Sequence, residues 1–316
     1  MNEWRPGASR HALETRAALL ESIRAFFGER GVLEVETPVL SRYANTDPHI
    51  DSIGSDDHPS RYLRTSPEFP MKRLLCAGMR NIYELGRVFR AGESGARHNP
   101  EFTMLEWYRA GMPYLELADE VVDLVRHCSP SPFADWPLRR VAYRKLFHEQ
   151  TGLDPWVCRE EDLADCAADR GISADALDHQ AWQHLLMAEV IQPSLAGERL
   201  TIVHDYPPEQ AALARIRADD PPVAERFEVY VGEQELANGY QELTDPDEQM
   251  KRFRKESRER TARGERALPV DSALISAMRD GMPECSGVAL GVDRLLMSIL
   301  KLERIDSVLA FSWERA

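Results

Sequence analysis

The sequence predicts an α+β fold, an antiparallel sheet with helices packed on it. Strand-like runs are joined by hairpins and long excursions, not by a regular strand–helix–strand alternation. Neither GxGxxG nor GxxxxGK[ST] occurs, so a doubly wound or P-loop nucleotide domain is not indicated. The 316 residues, 43% of them hydrophobic, suffice for a sizeable core.

The elements follow in order. From Ser9 to Arg30, Leu13, Ala17, Leu20, Ile23 and Phe27 recur at helical spacing, with Ser9 as cap and Gly31 as stop. The β-rich run VLEVETPVL (32–40) contains Pro38, which cannot donate to a sheet ladder and so suits an edge or an interface. A helix, KRLLCAG, follows SPEFP. IYELGRVF and FTMLEWYR then read as strands, and 115–127 as helix. The stretch 130–222, from SPSPFADWP to RADDPP, reads as a helical insertion within a single catalytic domain spanning 1–316. Strands return in RFEVYV (226–231) and EQELANGYQEL (233–243). A basic helix follows, then a strand, GVALG, running into the helix VDRLLMSILK.

Composition excludes several classes. No run of 18 apolar residues occurs and the N-terminus lacks a secretory h-region, so the expectation is a cytoplasmic protein with no membrane partner. Five widely spaced cysteines without a CxxC pair encode neither a disulfide framework nor a zinc site. A formal charge of -14 repels a phosphate backbone, so nucleic-acid binding would need a local basic patch. The segment 251–266 offers one, with eight basic residues against three acidic. It reads as a solvated helix face, with a partner-docking surface as the alternative.

Strand alternation sorts the remaining polar residues. Phe102, Met104, Glu106 and Tyr108 share one face, which cannot be plain core because an unpaired buried carboxylate is too costly. Glu228 and Tyr230 lie opposite the apolar Phe227, Val229 and Val231, and Asn238, Tyr240 and Glu242 line up in the next strand. Glu235 has the other parity and would join them only through a bulge or a strand end. The inventory is Glu68, Glu106, Glu228, Glu235 and Glu242 with two arginines, Arg90 and Arg294, at element boundaries. Arginine forks suit phosphate oxygens, and surplus carboxylates suit Mg²⁺ and an ammonium group. Taken singly each is more ordinarily a structural ion pair; the grouping suggests ATP plus a cationic small molecule.

Three ordered segments resemble the motifs of class II aminoacyl-tRNA synthetases, and specifically the lysyl-tRNA synthetase catalytic core: GVLEVETPVL, VFRAGESGARHNPEFTMLEWY and GVALGVDRL. TSPEFPMKRLL and ELANGYQEL match its flanking segment and lysine-binding strand. The resemblance implies an antiparallel sheet flanked by helices, ATP and Mg²⁺, and a homodimer through the region around Pro38. It implies that Arg90 holds the α-phosphate and Arg294 the γ-phosphate, and that Phe102 stacks on adenine. Gly92, Glu93, His98, Asn99, Leu236 and Gly291 would surround the nucleotide, and Glu228 and Glu235 would hold Mg²⁺. Ser66, Glu68, Glu106, Tyr108, Asn238, Tyr240, Glu242 and Ala289 would line a pocket for a lysine-like substrate.

Two residues depart from the family pattern. Gly92 stands where a glutamate usually reads the adenine amine, with Glu93 following, and Ala289 stands where lysyl-tRNA synthetases have glycine. A further expectation is that no anticodon-reading domain precedes the first motif, because about 30 residues forming one helix come before it. Such chains resemble the elongation factor P β-lysine ligases, which implies activation of (R)-β-lysine, transfer to a lysine of elongation factor P, and no tRNA partner. The alternatives are a lysine-activating enzyme with another acceptor, or a non-catalytic amino-acid-sensing paralogue.

Overall fold

The computed structural model describes residues 4–55, 61–175 and 177–316. Two compact units form, one from Met1–Met112 with Thr244–Ala316, the other from Pro113–Leu243. In chain order the first unit supplies α1 (Arg10–Glu29), β1 (Leu33–Glu34), β2 (Leu40–Ser41), β3 (Tyr62–Leu63), α2 (Glu68–Cys76), β4 (Asn81–Phe89) and β5 (Glu101–Ala110). The second supplies α3 (Tyr114–Cys128), a short α4 (Pro130–Phe133), β6 (Leu138–Ala142), α5 (Tyr143–Thr151), α6 (Glu160–Ala168) and α7 (His179–Leu186). It continues with a short α8 (Gln192–Ser194), β7 (Leu200–Tyr206), β8 (Ile216–Arg217), β9 (Val223–Val231) and β10 (Gln234–Gln241). The chain then returns to the first unit with α9 (Pro246–Ala262), α10 (Ser272–Gly281), β11 (Cys285–Gly291) and α11 (Val292–Leu300).

In the first unit β4 and β5 form an antiparallel hairpin, β11 pairs antiparallel with β5, and β1 runs parallel to β4. Ser9 Oγ accepts the Ala12 N–H at 3.1 Å and so caps α1, as its position before the first apolar repeat suggested. Phe27 of α1 stacks on Tyr83 with ring centroids 4.4 Å apart and meets Trp107 at 5.4 Å. This fastens the helix to one face of the hairpin and leaves the Met104, Glu106, Tyr108 face for chemistry. The run VLEVETPVL yields only the two-residue strands β1 and β2, because Thr37 and Pro38 between them leave the ladder.

In the second unit β9 pairs antiparallel with β7, β8 and β10, and β6 runs parallel to β7. Tyr143, Phe147, Trp182, Tyr206 and Tyr230 anchor its core. This differs from the expected helical insertion: 130–222 carries β6, β7 and β8, and the unit also includes α3 and the β9–β10 hairpin. In β7 Leu200, Thr201, Ile202 and Val203 are all buried. A strand covered on both faces lacks the period-2 alternation by which strands are found in sequence. The fold is α+β, as predicted; among the described pairings β1–β4 and β6–β7 are parallel.

Candidate active site

Arg90 follows the last residue of β4, at the mouth of the β4–β5 hairpin. Its backbone N–H bonds Pro100 O at 2.9 Å, and its Nε points to Thr65 O at 3.4 Å. The guanidinium lies 5.2 Å from the centroid of the Phe102 ring. Glu93 approaches Arg90 Nη1 at 3.5 Å, so its carboxylate accompanies the arginine. Gly92 between them has φ 77, a left-handed conformation that turns the chain back on itself.

Arg294 sits in the first turn of α11, which begins after Gly291. The preceding residue, Asp293, accepts the Thr103 N–H at 2.7 Å and Arg16 Nη1 at 2.6 Å, fixing the start of the helix against β5. Arg294 Nη2 lies 2.6 Å from His98 Nε2. Burial, reinforced by Arg294, pulls the His98 pKa down, so its neutral ring accepts from the guanidinium. Asn99 does something the sequence did not suggest. Its amide donates to Glu101 O at 2.6 Å and accepts the Trp313 N–H at 2.9 Å, bracing the hairpin loop against the C-terminal segment.

Four residues from Phe102 along β5 lies Glu106, 3% exposed. Ser66 Oγ and Tyr108 OH each donate to it at 2.7 Å, to Oε2 and Oε1 respectively. Ser66 Oγ also accepts the Glu68 N–H at 2.9 Å, at the first residue of α2. Tyr108 is therefore a buried orienting group, packed with Met71, Leu75, Ile82 and Cys285. Ala289 is the direct register partner of Glu106, flanked by Gly287 opposite Tyr108 and Gly291 opposite Met104. Directly paired residues share a face, so three small side chains of β11 keep the surface beside Glu106 open.

Two buried cations near these residues, Lys72 and Arg64, were not assigned from the sequence. Lys72, 1% exposed, donates to Glu68 Oε1 at 2.6 Å. The expected pairing of Glu68 with a substrate ammonium is thus preceded by one with the protein's own. Its i,i+4 spacing on α2 was the available signal. Arg64 binds Glu84, the register partner of Glu106 on β4, and also donates to Thr37 Oγ1 at 3.0 Å.

In the second unit the β9–β10 register is Asn238 opposite Glu228, Tyr240 opposite Arg226 and Glu235 opposite Tyr230. A register shift between Glu235 and Ala237 supplies the bulge that parity demanded, with the buried Leu236 as the extra residue. Arg226 Nη2 donates to Glu228 Oε1 at 2.5 Å, and Arg226 Nε to Asn238 Oδ1 at 3.2 Å. Tyr230 OH bonds the other oxygen of Glu228. Burial works against the charge of Arg226, but Glu228 and Tyr240 outweigh it and hold its pKa well above the ordinary value. Glu242, 1% exposed, follows β10 with the same parity as Asn238 and Tyr240. Of the carboxylates on this face, Glu228 and Glu235 suit a nucleotide-borne Mg²⁺, an ion that is bound through one or two carboxylates plus substrate phosphates. Among the described residues no group of three or more His, Cys, Asp or Glu forms a protein-only cage.

A family model described as tRNA synthetases class II (D, K and N) matches residues 2–315. A protein of Photorhabdus laumondii named elongation factor P–(R)-β-lysine ligase is 44% identical over 99% of this chain and 98% of its own. Proteins of the same name from Haemophilus ducreyi and Yersinia pestis are 41% and 43% identical, over 99% and 98% of this chain and 97% of each of theirs.

Proposed function

This chain belongs to the class II tRNA synthetases (D, K and N), and from that premise we propose that it activates (R)-β-lysine with ATP and transfers it to the ε-amine of a lysine on elongation factor P. The coarser activity, an ATP-dependent amino-acid ligase, follows from the family and the named relatives. The observation that carries the finer one lies on β5. Phe102, stacked with Arg90, and Glu106, oriented by two hydroxyls, share one strand face four residues apart. At about 3.3 Å per residue they are roughly 13 Å apart, a span suited to an aminoacyl-adenylate.

In this reading the substrate carboxylate oxygen attacks the α-phosphorus, the bond to the β-phosphate oxygen breaks, and pyrophosphate leaves. The acceptor amine then attacks the acyl carbon and AMP departs. Arg90 aligns the α-phosphate, and Arg294, held by His98, draws charge from the γ-phosphate. Glu106 receives the substrate ammonium, with Ala289 beside it favouring an amine displaced from the α-position. Glu228 and Glu235 would hold Mg²⁺, which when bound neutralises phosphate charge. Glu68, Asn238, Tyr240 and Glu242 are assigned to the amino acid. Exposed Leu33, Val39 and Leu40 around Pro38 support a homodimer through that segment. Among the described residues no helix is long and apolar enough to cross a membrane.

The test is ATP–pyrophosphate exchange with (R)-β-lysine, followed by intact-mass analysis of elongation factor P. Exchange should proceed with (R)-β-lysine and fall by roughly 100-fold or more in Arg294→Ala, the scale of removing a transition-state charge contact. A mass gain of one lysyl unit on elongation factor P is expected. Near-normal exchange in Arg294→Ala, or no mass gain, would refute the corresponding half of the reading.

A further inference from the structure

The basic helix α9 does not present all its cations to solvent. Arg254 and Arg258 are exposed, but the Arg260 side chain is only 7% exposed. A guanidinium in such a place relies on the charges and acceptors around it; here both Nη atoms find partners, while Nε is buried without a hydrogen bond. Arg260 Nη2 lies 2.7 Å from Asp51 Oδ1 and 2.9 Å from Glu265 Oε2, and its Nη1 donates to Asp47 O at 2.9 Å. Two more residues of the same helix edge grip the same loop. Glu256 accepts the Thr46 hydroxyl, and Arg263 Nη1 donates to Pro48 O at 3.3 Å. Positions 256, 260 and 263 follow the i, i+4, i+7 spacing of one helix face.

The gripped loop has a second contact. Asp51 O accepts the Ala91 N–H at 2.8 Å, while the adjacent Arg90 N–H bonds Pro100 O at 2.9 Å. The backbone that aims Arg90 is therefore pinned from two sides, by its own hairpin and by loop 46–51. We infer that Arg260 is a positioning residue of the nucleotide site, acting through loop 46–51 and Ala91 to hold Arg90 in register with ATP. This rests on Arg90 binding the α-phosphate.

The experiment measures ATP binding by calorimetry, and ATP and amino-acid KM in pyrophosphate exchange, for Arg260→Met, Arg260→Lys, Asp51→Asn and Arg90→Met. Asp51 is largely exposed, so Asp51→Asn should keep the wild-type melting temperature yet weaken ATP binding several-fold. Arg260→Met should weaken it about tenfold or more, since small misplacements of an aligning group are costly. Arg260→Lys should rescue only part of this, because one ammonium cannot bridge the same three acceptors. A purely structural role would lower the melting temperature of the Arg260 variants and leave the ATP affinity of the folded protein unchanged. If Arg260→Met does not fold, Asp51→Asn and Arg260→Lys decide. ATP affinity within twofold of wild type in both of these, with Arg90→Met impaired, overturns this inference alone. Unimpaired ATP binding in Arg90→Met overturns it together with the assignment of Arg90.

Discussion

Replacing Glu256 with glutamine should remove a loss of stability that wild type suffers between mildly acidic and mildly alkaline pH. Burial, with Asp47, Glu259 and Glu68 nearby, raises the Glu256 pKa to about 7 from 4.5, while the Thr46 hydroxyl bond pulls the other way. The unfolded chain releases this proton near pH 4.5 and the folded chain near 7, so between those values the folded state binds more protons. Stability is therefore fully present below the lower pKa, falls as pH rises through the window, and levels off above about pH 7. The gap of 7 less 4.5 corresponds to roughly 3 kcal/mol at about 1.4 kcal/mol per pH unit. The assay is urea unfolding of wild type and Glu256→Gln at about pH 5 and pH 8. Other groups titrate alike in both proteins and cancel in the difference. Glutamine keeps an acceptor for Thr46, so wild type should lose roughly 2–3 kcal/mol more than the variant across this range. Equal losses within about 0.5 kcal/mol, the ordinary scatter of independent effects, would show that Glu256 ionises normally.

Ala289→Gly should shift the pyrophosphate-exchange preference toward α-lysine over (R)-β-lysine by about tenfold, the value of one methyl-sized change in a pocket; an unmoved ratio would remove Ala289 from substrate choice. Charge reversal of two of the exposed α9 cations, Arg254→Glu with Arg258→Glu, should slow transfer to elongation factor P several-fold at low salt while leaving pyrophosphate exchange intact, and the difference should shrink as salt rises. Unchanged transfer would return these residues to the role of a solvated face.

Much of this was legible in the sequence, and what was not has a common physical reason. The hairpin flanks, the α1 cap and the split of β5 into two faces follow from period and capping chemistry, which are local. The Glu235 bulge was legible as a requirement, since parity alone excluded it from a regular strand. β7, the longest strand between 130 and 222, was missed because residues buried on both faces erase the alternation. The counterions were missed because pairing depends on the fold: Arg64 and Glu84 are 20 positions apart, and Arg260 and Asp51 are 209 apart. Asn99 shows a role that the sequence did not reveal. A polar residue on a motif loop suggested a ligand contact, yet both ends of its amide serve the scaffold.

The counterions also explain how this unit can hold acidic groups close to the proposed site for an anionic nucleotide. Glu84 and Glu106 are direct neighbours across β4 and β5. Two carboxylates about 5 Å apart on one face repel by roughly 3 kcal/mol at an effective dielectric of about 20. Arg64 offsets this by binding Glu84, and it is itself fixed by Arg87 O at 3.0 Å and Thr37 O at 3.1 Å. That fixation dictates a neighbour, because a Cβ at Gly86 would come within 2.5 Å of Arg64 Nη2. A free arginine end could swing aside, but one held by four groups cannot do so without exposing Glu106 to an uncompensated charge. Gly86, Arg64 and Thr37 therefore belong to the electrostatics of the proposed amino-acid pocket, although no residue among them is assigned to touch the substrate.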